Sequence, residues 1–144
     1  MITRRRALYK KVPGIPVSEF QTWIIGKTIN ATTGAIQPNV DVQYCDAYIP
    51  VTDYAIDDKI VFIDDAFRIT SNNNFAGFYI ALAFYGANDA FIERIGYESG
   101  NKVASFNIPQ NAETFRIVCV YKIDENVVRP STGNVPLSKL YLQY

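Results

Sequence analysis

Apolar side chains recur at every second residue along most of this chain, and that period constrains its fold more than any other feature. In 77–85, Phe78, Ile80, Leu82 and Phe84 fall on one face and Tyr79, Ala81, Ala83 and Tyr85 on the other. In 114–123, Phe115, Ile117, Cys119, Tyr121 and Ile123 oppose Arg116, Val118, Val120 and Lys122. Successive side chains of an extended strand point to opposite faces, so this is strand periodicity. The same reading places strands at 20–25, 28–31, 40–50, 54–63, 66–70, 90–97, 103–108 and 137–143. Turn residues separate them, among them Thr33-Gly34, Pro38-Asn39, Asp64-Asp65, Gly86-Ala87-Asn88-Asp89 and Pro109-Gln110-Asn111. No stretch carries a clean helical period with a cap and a stop. Many short strands without crossover helices predict an all-β, antiparallel sandwich or barrel.

The 144 residues suit one domain with a substantial core. The composition break lies at Pro13-Gly14-Ile15-Pro16, where two prolines and a glycine disfavour regular pairing. We therefore read 1–18 as an extended basic arm and 19–144 as one β domain. The formal charge of zero is divided between them. Arg4, Arg5, Arg6, Lys10 and Lys11 give the arm +5 with no acid, leaving nine basic and fourteen acidic residues elsewhere. A basic end on an acidic body points to a partner for that end, with Tyr9, Val12 and Ile15 as apolar anchors. The partner classes are an acidic protein surface, nucleic acid or an acidic face of a sister subunit; a solvated tail is the plain alternative. At the other end, Leu137, Leu140, Leu142, Tyr141 and Tyr144 either form a last strand or pack on a neighbouring subunit.

The chemistry-bearing residues point away from catalysis. The chain has no histidine, which removes the commonest general base and zinc ligand. Gly-x-Ser-x-Gly, P-loop, Cys-x-x-Cys and Rossmann motifs are absent. Cys45 and Cys119 sit in alternating apolar stretches and read as buried thiols, with one disulfide as the alternative. Asp41, Asp46, Asp53, Asp57-Asp58 and Asp64-Asp65 are acidic enough for calcium but lack EF-hand spacing; turn chemistry is the simpler reading. No cofactor or metal is expected. No apolar run is long enough for a membrane span, and the basic start lacks the apolar stretch of a secretory leader. The basic residues of the body, Arg68, Arg94, Arg116 and Lys122, are too scattered for nucleic acid. Aromatics are the surplus: ten Tyr, nine Phe and one Trp. Trp23, Tyr79, Tyr85 and Tyr97, with Arg116, would suit a face that stacks on sugar rings; packing or a subunit interface is the competing role for these tyrosines.

Three segments carry a resemblance. Tyr48-Ile49-Pro50-Val51 follows Trp23, Gly26-Lys27 and Thr33-Gly34-Ala35. Then comes Ile80-Ala81-Leu82-Ala83-Phe84-Tyr85-Gly86-Ala87-Asn88-Asp89-Ala90-Phe91-Ile92, and then Ser105-Phe106-Asn107-Ile108-Pro109-Gln110-Asn111-Ala112-Glu113-Thr114-Phe115-Arg116-Ile117. Over 22–123 the chain resembles the jelly-roll, carbohydrate-binding-module-like domains of bacteriophage tail-fibre, baseplate and head-fibre proteins. Where those domains often carry Asp after Phe-Tyr, this chain has Gly86. The resemblance implies a jelly-roll sandwich and a non-enzymatic virion protein assembled in the host bacterial cytoplasm. A small module with a basic arm fits a multi-copy capsid decoration or head-fibre-type protein. It would contact other virion proteins through its arm and C-terminus. The alternative is a carbohydrate-binding module for host-surface glycan.

Overall fold

A computed structural model describes residues 14–65, 77–96, 102–123, 126–133 and 135–144. They form two packed antiparallel sheets, an all-β sandwich of jelly-roll type. The first sheet joins β1 (Ile15–Pro16), β11 (Leu140–Leu142), β5 (Lys59–Asp64) and β8 (Val103–Asn107), in that order. The second runs β2 (Trp23–Ile29), β3 (Ile36–Cys45), β9 (Thr114–Ile123), β6 (Gly77–Tyr85) and β7 (Phe91–Gly96). Two short strands, β4 (Ile49–Pro50) and β10 (Asn126–Val128), also pair with β9. A single-turn helix, α1 (Val51–Tyr54), leads from β4 towards β5. The chain alternates between sheets: β3 in the second, β5 in the first, β6 and β7 in the second, β8 in the first, β9 in the second, β11 in the first.

The alternation fixes the core. Phe78, Ile80, Leu82 and Phe84 of β6 and Phe115, Ile117, Cys119 and Tyr121 of β9 face Ile60 and Phe62 of β5, Ala104 and Phe106 of β8, and Leu140 and Leu142. Five phenylalanines are almost wholly withdrawn from water: Phe62, Phe78, Phe84, Phe106 and Phe115. Each contributes about 1.5–3 kcal/mol by burial alone. Of the two readings of the C-terminal leucines, the last-strand one holds: β11 pairs with β5 through Leu142↔Phe62 and Leu140↔Asp64.

Several boundaries differ from the sequence reading. The expected strands 20–25 and 28–31 are one strand, β2, broken by an irregularity between Ile25 and Lys27 at Gly26. The expected strand 40–50 starts earlier, at Ile36, and is interrupted by the loop Asp46–Tyr48. The stretch 54–63 opens with the end of α1 and a turn in which Asp57 and Asp58 take positive φ, so β5 starts at Lys59. In the loop at 86–89, Asn88 and Asp89 take positive φ. The expected strand 66–70 lies outside the described residues.

The arm boundary also moves. Ile15 and Pro16 pair with Leu142 and Tyr141, and Val17 is wholly buried in the core. Proline is tolerated here because β1 is the outermost strand of its sheet, where a missing N–H faces no neighbour. Gly14 has φ +126°, and a Cβ on it would collide with the Leu142 carbonyl. Only glycine lets the chain enter so close to β11. Residues 15–17 therefore belong to the fold; of the arm residues named above, Ile15 is among them, and Arg4, Arg5, Arg6, Tyr9, Lys10, Lys11 and Val12 lie outside the described residues.

Removing residues 1–13 keeps β1 and Val17 and gives the reference urea midpoint. Removing 1–18 strips away β1 and the buried Val17 and should lower stability by about 2–4 kcal/mol. Equal midpoints for the two truncations would show that β1 contributes nothing.

Candidate functional site

Strands β6 and β9 are buried on both faces, which the alternation alone did not predict. The cover on the outer face is the tip of the β2–β3 hairpin. β3 pairs with β9 at Gln43↔Cys119 and Tyr44↔Val118 and then leaves it. The β2–β3 register jumps from Ile25↔Gln43 to Lys27↔Pro38, so three extra residues of β3 form a bulge. Asp41 N–H donates to Asn39 Oδ1 within it. Beyond the bulge the hairpin crosses the outer face and reaches β7. Arg94 Nη1 donates to the Ile29 carbonyl at 2.8 Å, and Gly34 lies against the Phe91 ring. Ile29, Val42, Tyr44, Ala81, Ala83, Tyr85 and Val118 form a second apolar cluster beneath it.

At one end of this covered face sits a charged cluster. Arg116 on β9 lies across from Ala83, and its neighbour Thr114 pairs with Tyr85. The Arg116 side chain is 8% exposed. Its Nη2 and Nε donate to the Tyr85 hydroxyl at 2.8 and 3.1 Å, and Nη1 donates to Asp46 Oδ1 at 3.2 Å. Three tyrosine rings surround the guanidinium, with centroids at 4.4 Å for Tyr48, 4.9 Å for Tyr85 and 5.4 Å for Tyr44. Tyr48 meets Tyr85 edge to face at 4.9 Å, and Tyr85 meets Phe91 at 5.9 Å. A buried guanidinium needs this company, since removing a charge from water costs several kcal/mol unless partners replace the hydration. Cation–π contact contributes about 2 kcal/mol when desolvated. Burial pushes the Tyr85 phenol above its ordinary pKa, against the opposing pull of Arg116. Tyr44 is raised as well, by burial first and then by the Asp46 charge.

The residues expected on one aromatic face are thus divided. Tyr85 and Arg116 come together, but beneath Tyr48. Tyr79 shares the outer face of β6, about 20 Å further along the strand, with its hydroxyl against Gly96. Trp23 belongs to the other side of the sheet: it packs on the main core, and its Nε1 donates to the Val17 carbonyl at 3.3 Å. Tyr97 lies outside the described residues. The sequence reading missed Tyr44, Asp46 and Tyr48. Their signal was present in Tyr44-Cys45-Asp46-Ala47-Tyr48, where two tyrosines bracket an acid at the end of a strand. What the cluster offers to solvent is the Tyr48 ring, 39% exposed, and the half-exposed Asp46 carboxylate. Arg116 itself is engaged internally.

The acidic segment is dispersed. Asp41 accepts from Arg129 Nε at 3.0 Å, Asp46 holds Arg116, Asp57 and Asp58 form a turn, and Asp64 is buried. Among the described residues no three His, Cys, Asp or Glu side chains gather as a metal site would require. Cys45 and Cys119 are free, buried thiols. Burial, and secondly the Asp64 charge, holds the Cys119 thiol far above its ordinary pKa. No helix among the described residues is long and apolar enough to cross a membrane. Compared with family models, curated proteins and solved structures, the chain finds no match in any of the three.

Replacing Arg116 by Met should cost about 2–4 kcal/mol, because the Tyr85 hydroxyl loses both donors in a dry setting. Tyr85→Phe should cost about 1–3 kcal/mol by leaving Arg116 short of an acceptor. Chemical denaturation of both single variants and the double variant gives the coupling. A coupling energy of zero would mean that the two side chains are independent.

Proposed function

We propose that this protein is a non-enzymatic structural component of a bacteriophage virion, a capsid decoration or head-fibre-type protein that attaches through its basic N-terminal segment. The observation that carries the attachment is β1. Ile15 and Pro16 pair with β11 and Val17 is sunk in the core, so whatever precedes Gly14 joins the sandwich at a fixed point. The five basic residues of that segment stand on a body with nine basic and fourteen acidic side chains, which suits an acidic partner surface repeated across an assembly. The virion setting comes from the resemblance of residues 22–123 to phage jelly-roll modules. The test is occupancy on particles of the source virion that lack this chain. The full chain should restore density on the capsid, with residues 1–13 traced along neighbouring shell proteins. A chain starting at Gly14 should remain folded and unbound. Full occupancy by that truncated chain would overturn the attachment.

A second reading, glycan recognition, is favoured by Tyr48. Its ring is backed on one side by Arg116 and braced at its edge by Tyr85, a preset stacking platform beside the Asp46 carboxylate. This moves the sugar-contacting residues from Tyr85 and Arg116 to Tyr48 and Asp46. On a glycan array, Tyr48→Ala should remove any signal that the full chain gives. Signals unchanged by that substitution would exclude this platform.

A further inference from the structure

The first strand and the turn after it form a plug, seated in a socket built by the far end of the chain. Ile15 and Pro16 pair with Leu142 and Tyr141. Val17 is wholly buried. Phe20 packs against the same core and meets the Tyr54 ring edge to face at 6.0 Å. These contacts are the same whichever copy of the chain supplies the plug. Within one copy, plug and body are joined by Gln21 and Thr22, two exposed residues between Phe20 and β2.

That joint is strained. Thr22 has φ +65°, and a β-branched residue in the left-handed region crowds its own backbone. Its neighbours hold the turn. Asp46 N–H donates to the Thr22 carbonyl at 2.9 Å, and Trp23 Nε1 donates back to the Val17 carbonyl at 3.3 Å. Straightening the joint would relieve Thr22 and carry the plug away from its own socket.

We propose that two copies of this chain exchange residues 14–20, each seating Ile15, Pro16 and Val17 beside the β11 of the other, with Gln21 and Thr22 as the hinge. The inference goes beyond the attachment reading, since it concerns residues inside the fold and holds whatever the setting of the protein. Reciprocal exchange closes as a two-fold dimer, and short hinges under strain favour it. The β1–β11 pairs and the burial of Val17 are conserved, so two terms decide the balance. Association costs the copies their independent motion. Relief at two hinges offsets part of that cost. In dilute solution the tethered plug prevails, because its effective concentration at its own socket is about a millimolar. Exchange competes once copies are crowded to a similar level, as in an assembly.

The experiment places cysteines at the register partners Pro16 and Tyr141 of the full chain, the two native thiols being buried. One chain carries Pro16→Cys and another Tyr141→Cys. They are unfolded, refolded together at about 1 mM, diluted and then oxidised. A disulfide joining the two chains is expected, on a species with the mass of two. Thr32→Cys, at the exposed hairpin tip, used in place of Tyr141→Cys should give about tenfold less, because a disulfide needs close Cβ atoms. Thr22→Gly adopts positive φ freely and should lower the linked fraction about tenfold. Thr22→Pro cannot adopt it and should raise the linked fraction. If Thr22→Pro fails to fold, Thr22→Gly carries the hinge test alone. Equal linkage to Tyr141→Cys and Thr32→Cys would mean random collision and overturns the proposal. So does a mixture that stays unlinked while a single chain bearing both cysteines closes its own disulfide. A linked fraction that Thr22→Gly leaves unchanged also overturns it.

Discussion

Strands β6 and β9 are buried on both faces, and the rest of the structure answers to that. A sheet with one apolar face needs one covering layer; these two central strands need two. The first sheet covers the inner face. The β2–β3 hairpin, having no second sheet to belong to on the outer side, bends out of the plane to cover the other. The bulge in β3 therefore reorients the hairpin. It directs twelve or so residues across Ala81, Ala83 and Val118, and the small alanines leave room for that close layer. The interior is closer to three layers than two over this part of the molecule.

Arg116 follows from the same arrangement. It occupies an outward position on β9, where an exposed strand would simply solvate it. Because the hairpin and the Asp46–Tyr48 loop close over that face, the guanidinium needs replacement partners, and the tyrosines with Asp46 supply them. The cluster also fixes where β3 ends and β4 begins, since both flanks of the loop are held to β9. A buried ion pair of this kind is weak evidence for stability; it is the observed register of β9 that brings Arg116 beneath Tyr48. The acid that balances it is half in water, which moderates the Coulombic contribution.

The sandwich was legible in the sequence because period two is a local signal. Phe78 through Phe84 and Phe115 through Tyr121 announced both their strands and their inward faces. The outward face misled for a definite reason: alternation assigns Tyr85 and Arg116 to the side away from the core, but says nothing of a hairpin folded over it. That fold depends on the register jump between Ile25↔Gln43 and Lys27↔Pro38, a property of two strands together. Trp23 was misassigned for a related reason, since its strand sits at the sheet edge and an edge residue can pack inward over the rim. Pro13 to Pro16 looked unfit for pairing because proline cannot serve a central strand; at an edge, two residues suffice. Tyr48 was visible in the sequence only as part of Tyr48-Ile49-Pro50-Val51, with no sign that its ring lies against Arg116.

The pairing of Ile15 with Leu142 joins residues from opposite ends of the described chain. Contacts of such separation carry the largest loop-closure entropy. β1 has β11 as its neighbour in the sheet, so its place depends on β11 being laid down. The start of the described chain is thus anchored through its end: a chain that loses β11 loses the partner of β1 as well.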